Sequence, residues 1–237
     1  MKRNHRRLLL VAVYALAMAW VEAAVVLYLR TLFHRIVPYQ LDPLPFQTGL
    51  ARVELPREAA TLIMLASVGA LAGATPRARL GFFLIGFGLW DIFYYVFLRI
   101  MCGWPSSLWD WDVLFLIPLP WWGPVAAPCL IASLMILFGF WLSSSPRAYS
   151  SVKPRFSSYW LVFAGSTAAL VIFMKDSLGA VANGQGISFI GKLLPEDFPW
   201  TQFLVCLAMM SAPLWEVAWL RRGSLLGSFR PSATYGE

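Results

Sequence analysis

The chain has 237 residues, of which 59% are hydrophobic and 13% charged, and it carries a net charge of +7. Soluble domains carry roughly a quarter charged residues, and disordered chains combine low hydrophobicity with high charge, so neither class fits. Three cysteines with no CxxC pair exclude a disulfide framework and a cysteine-built zinc site.

Apolar runs near bilayer length, about 20 residues, recur from end to end. The first covers 8–29 and is interrupted only by Glu22. Its basic start and its Ala15-Leu16-Ala17 stretch resemble a secretory signal with a cleavage site, but the run continues far past that point, which favours a retained span. The next runs are 59–75 and 80–98, the latter with Asp91 at its middle. A clean run follows at 123–142, then 159–174, and finally 200–220 with Pro213 and Glu216 inside it. None alternates with period two, so each reads as a helix. The expected fold is all-α: a polytopic bundle of six transmembrane helices forming a single membrane domain over 1–237.

Between the first two runs, residues 31–57 contain Pro38, Pro43, Pro45 and Pro56 and should be extended. Pro56 then opens the next helix, with Glu58 in its first turn as an acid complementing the helix dipole. Residues 76–79 and 143–158 are short, basic connections. The stretch before the fourth run carries Trp104, Trp109, Trp111, Trp121 and Trp122, a residue that favours the membrane interface. Ser107 and Asp110 are spaced like a capping box. They predict a short helix over 108–117, ended by Pro118 and Pro120, within an outer interfacial segment 104–122. The glycine-rich stretch 176–199 should lie against the same outer surface.

Orientation follows from the basic residues. With six spans, Lys2, Arg3, Arg6, Arg7, Arg77, Arg79, Arg147, Lys153, Arg155, Arg221, Arg222 and Arg230 fall on one side, against seven on the other. The positive-inside rule makes the richer side, with both termini, cytoplasmic. Asp42, Glu54, Glu58, Asp110, Asp112, Asp176, Glu196 and Asp197 fall outside. The +7 is then a topology signal and a contact with anionic membrane lipids, and no nucleic-acid partner is expected. A cell membrane of the bacterial inner type is the expected location.

Glu22 and Asp91 carry the functional argument. An ionisable group deep in a span costs about 2.5–3.5 kcal/mol on insertion scales, so such groups face a bundle interior and mark function. Asp91 has Gly88, Tyr94, Tyr95 and Arg99 at helical spacing, which predicts a polar stripe of Asp91, Tyr95 and Arg99 rising toward the outer surface. Ala15 and Ala19 share the face of Glu22 and permit close helix approach. These residues are expected to line a cavity open to the outer side, with Arg57, Glu58 and Asp112 near its mouth. An Asp91–Arg99 or Glu22–arginine pair that fixes helix register is the structural alternative.

His5 and His34 are the only histidines, so a bis-histidine haem and histidine-rich metal sites cannot be built. A carboxylate-held hard cation stays open. The Gly186–Lys192 stretch matches a phosphate loop until Leu193 replaces Ser or Thr, and no strand precedes it, so it is rejected. Gly69 and Gly73 form a GxxxG element, and Gly165, Ser166 and Thr167 supply further small residues for helix packing, within the chain or in a homo-oligomer or larger complex. Cys206, Met209 and Met210 lack the spaced repeat of a copper site and read as packing.

The leading expectation is binding or passage of a small cation, proton or polar solute through the carboxylate-lined cavity, with Glu22, Asp91, Tyr95, Arg99, Asp112 and Glu58 as binding or relay groups. One alternative is a membrane enzyme acting on a lipid or lipid-linked substrate at the outer leaflet. Another is a non-catalytic subunit or assembly factor of a larger membrane complex.

Overall fold

The computed structural model describes residues 2–34, 36–39, 51–143, 154–190 and 192–227. Much of the expected extended loop 31–57, including Pro43 and Pro45, lies outside the described residues, as do most of the 143–158 connection, Gly191 of the phosphate-loop-like stretch, and Arg230. Helices α1 (Lys2–Leu32), α2 (Ala51–Ala72) and α3 (Pro76–Cys102) are followed by strands β1 (Trp111–Phe115) and β2 (Trp121–Pro124). Then come α4 (Ala126–Ser143), α5 (Phe156–Ala182), the single turn α6 (Ile187–Ile190) and α7 (Trp200–Gly227). Among the described residues six helices, all but α6, are long and apolar enough to cross a membrane. This is the architecture of an all-α multi-pass membrane protein.

The helices run longer than the apolar stretches alone suggest. The connection expected at 76–79 is instead the first turn of α3. Thr75 caps it, its Oγ1 accepting the Ala78 amide at 3.2 Å, and Pro76 takes the first helical position, where a missing N–H costs nothing. Gly103, at φ 74°, ends α3 in the left-handed conformation that glycine adopts without strain. Likewise α2 begins at Ala51, ahead of Pro56, so Glu58 lies a turn further into the helix than its proline neighbour implied.

The helix expected over 108–117 is a hairpin. β1 and β2 pair antiparallel, with Asp112 opposite Gly123 and Val113 opposite Trp122, and a register shift follows between Val113 and Phe115. Trp, Val and Phe in β1 suit a pleated, half-buried surface, while a helix this short would be marginal. The Ser107–Asp110 pair closes a turn, not a helix: Asp110 accepts the Ser106 amide at 2.7 Å and the Ser107 hydroxyl at 2.9 Å.

The chain forms two compact units, 1–144 with 170–200, and 145–169 with 201–237. In the first, the core of α1 and α3 contains Val11, Ala15, Ala19, Phe82, Ile85 and Trp90. Glycines fit the helices together at one end. A Cβ on Gly88 would stand 2.5 Å from the Ala132 carbonyl oxygen of α4, and one on Gly139 would meet the Gly81 oxygen at 2.6 Å. Gly69 and Gly73 press against Phe83 and the Arg79 backbone of α3, so the GxxxG element is occupied within the chain. Also in this unit, Ser177 donates to the Pro120 carbonyl at 2.8 Å and Trp121 stacks on Phe173, seating the second half of α5 against the hairpin.

In the second unit, Gly165 of α5 approaches the Cys206 carbonyl and Met209 of α7. Glu216 accepts the Ser158 hydroxyl at 2.6 Å and the Arg155 amide at 2.9 Å. The acid from α7 thus satisfies free donors at the start of α5.

Candidate functional site

At the end of the first unit that carries the hairpin, α1, α2, α3 and β1 draw apart around a cavity of about 160 Å³. Each element contributes polar groups at its own periodicity. Glu22 and Arg30, eight residues apart, share one face of α1; Glu54, Arg57, Glu58 and Thr61 lie on successive turns of α2; Asp91, Tyr94 and Tyr95 belong to α3. β1 adds Asp112, turned inward by the strand's alternation and buried to 1% exposure.

The charges sort into two closed networks and a remainder. Arg30 donates from Nη2 to Asp112 Oδ1 at 2.9 Å and from Nη1 to the Ile36 carbonyl at 3.2 Å, while its guanidinium lies 4.1 Å from the centre of the Trp104 ring. That pair is almost fully buried, where a planar fork that reaches a carboxylate and a carbonyl at once, beside an aromatic ring, favours arginine over lysine. Arg57 bridges Glu22 and Glu54, and Thr61 donates to the second oxygen of Glu22 at 3.3 Å. The register-fixing alternative weighed for Glu22 is therefore a real feature of the structure, with Arg57 as its partner.

Among the described residues, two of the lining carboxylates make no ion pair. Glu58, 8% exposed, accepts the Leu116 amide through both oxygens at 3.1 and 3.2 Å. Asp91 is half-buried and, among the described residues, makes no hydrogen bond or ion pair. Asp112 keeps further capacity: its Oδ2 is buried with no hydrogen-bond partner, although the Tyr95 hydroxyl and the Val113 amide stand near enough to favour its charge. Burial outweighs these and Arg30, pushing the Asp112 carboxyl above its ordinary pKa.

Among the described residues that line the cavity, five carboxylates thus face two guanidiniums, and both guanidiniums are engaged. The chain matches no family model, no curated protein and no solved structure. What the site can do rests on its own geometry.

Of the residues singled out from sequence, Glu22, Glu58, Asp91, Tyr95 and Asp112 meet at this cavity. Arg99 does not, which corrects the expected Asp91–Tyr95–Arg99 stripe. Its side chain donates to the carbonyls of Gly103 and Pro105, satisfying free acceptors at the end of α3. Arg30 holds the place assigned to it. The signal was available, since Arg30 follows Glu22 by the same eight residues that separate Arg99 from Asp91. Glu54 was also missed; it and Arg57 form an i, i+3 pair on α2. Among the described residues no group of three or more His, Cys, Asp or Glu side chains is arranged to hold a metal ion.

Proposed function

We propose that this protein binds a small cation in the cavity between α1, α2, α3 and β1, and passes it or a related polar solute through a cell membrane. In this reading the hairpin end faces outward, both termini are cytoplasmic, and the membrane is a bacterial inner membrane. The charge inventory of the cavity carries the proposal. Unpaired carboxylates in a spanning bundle are costly and persist where they bind or relay charge, and among the described residues Asp91 and Glu58 are the two lining carboxylates with no ion pair. Glu22, expected as a relay, is better suited to fixing α1 against α2 through Arg57.

The same inventory weighs against a phosphate-bearing lipid as substrate. Such a ligand needs free guanidinium or ammonium donors, and Arg30 and Arg57 already serve carboxylates. The subunit reading loses one of its supports, because Gly69 and Gly73 are occupied by α3.

Purified protein reconstituted in lipid vesicles tests the proposal. Saturable cation binding or uptake should appear in the wild type and fall at least tenfold in Asp91→Asn and in Glu58→Gln. Unchanged activity in both folded variants would sink it.

A further inference from the structure

We infer that the cation is a small organic ammonium ion, its charged group at Asp91 and its body against the aromatic wall of the cavity. The inference rests on the cation-binding reading above and specifies the class of occupant. Three observations select it over a bare metal ion.

First, the donor set is wrong for a metal. Calcium takes six to eight oxygens and magnesium demands a near-octahedral shell, yet no group of three or more acidic, histidine or cysteine side chains is arranged for a metal among the described residues. An ammonium group asks for less. It carries three N–H donors and no acceptor, and the wall holds acceptors with capacity to spare. Among the described residues Asp91 makes no hydrogen bond or ion pair, Glu58 accepts one amide, and Asp112 Oδ2 is buried with no hydrogen-bond partner.

Second, the wall is aromatic. Phe33, Trp90, Tyr94, Tyr95 and Phe115 line the same cavity as the acids. Aromatic faces attract cations and also accept a hydrocarbon body. A metal ion has no hydrocarbon body to bury against such a lining. The protein already makes this pairing one step away, where Arg30 lies 4.1 Å from the Trp104 ring centre.

Third, the size fits. A cavity of about 160 Å³ is close to the roughly 150 Å³ apolar cavity that accommodates benzene. The occupant would be an amine with a small apolar body.

The probes are benzylammonium, its neutral analogue benzyl alcohol, sodium and magnesium. Each is titrated at neutral pH into the full-length protein in lipid nanodiscs, with the melting midpoint and heat of binding read out. Benzylammonium should bind saturably and benzyl alcohol at least tenfold more weakly. Asp91→Asn, which removes no hydrogen bond or ion pair among the described residues, should weaken benzylammonium at least tenfold, and Trp90→Leu at least threefold. Equal binding of the amine and the alcohol, or unchanged affinity in Asp91→Asn, overturns the inference. Saturable sodium or magnesium binding that needs Asp91, with no response to benzylammonium, also overturns it but leaves the cation-binding reading standing. No response to any cation removes both.

Discussion

Along the first half of α3, Gly81 and Gly88 bring α4 within 2.5 to 2.9 Å of a would-be Cβ, and Gly69 and Gly73 bring α2 equally near. Along the second half of the same helix, Asp91, Tyr94 and Tyr95 border open space shared with α1, α2 and β1. The packing around α3 is therefore a wedge, closed by glycine against α2 and α4 along its first half and open beside the hairpin along its second. The contrast shows where a membrane bundle can hold charge. Close-packed helices leave no room for a carboxylate and its partners, whereas splayed ones admit five.

The two ends should fail differently. The largest effect is expected from Asp112→Ala, which strands the Arg30 guanidinium in a buried site; leaving one member of such a pair costs about 3–5 kcal/mol. Replacing both together, in Arg30→Met with Asp112→Leu, should recover much of that loss, and a double-mutant cycle on thermal unfolding in detergent checks the coupling. An additive double variant would show that the pair is not a unit.

At the closed end, Gly88→Leu should cost about 1–3 kcal/mol by overpacking, because the new side chain must displace the Ala132 carbonyl and Ile136. The same variant should leave cation affinity of the surviving folded protein within twofold. Loss of binding without loss of stability would reverse the division between the two ends.

Asp91→Asn should act with the opposite sign. Its carboxylate makes no hydrogen bond or ion pair among the described residues, so removing the charge is expected to stabilise by about 1 kcal/mol, a usual gain for a substitution that relieves a local cost to folding. A lowered melting midpoint would mark Asp91 as structural.

The smallest effect concerns the turn before β1. Burial opposes the charge of Asp110, but hydrogen bonds from Ser106 and Ser107 prevail and hold its carboxyl below the ordinary range. Its contribution is therefore complete above the unfolded value, about 4, and fades as pH falls through the lower folded value. Asp110→Asn should cost less than about 1 kcal/mol at neutral pH and flatten the acid limb of the stability curve. An unchanged acid limb would contradict the assignment.

Much of this wedge was legible in the residues themselves. Runs of bilayer length announce the six helices, and the insertion cost of Glu22 and Asp91 points to an interior polar site. Glu58 and Asp112 could be attached to it because the sequence sets both beside the helix ends expected on the outer side. Arg30 and Arg99 could not be separated by spacing, since each follows an acid by eight residues. Gly103 decides between them, because a left-handed cap four residues on brings carbonyls within reach of Arg99. The hairpin was hidden by a capping-like Ser107–Asp110 pair whose hydrogen bonds serve a turn equally well. No local signal tells which amide Glu58 will accept.

That last contact sets an order of events in biosynthesis. Glu58 waits for the Leu116 amide, 58 residues downstream, and Arg30 for the Asp112 carboxylate, 82 residues on. As the chain emerges, α1, α2 and α3 must all precede the strand that completes their polar end. Until it arrives, Glu58 lacks the amide it accepts and Arg30 lacks its carboxylate, keeping the Ile36 carbonyl six residues on. The polar end of the cavity is thus completed only once β1 has been made.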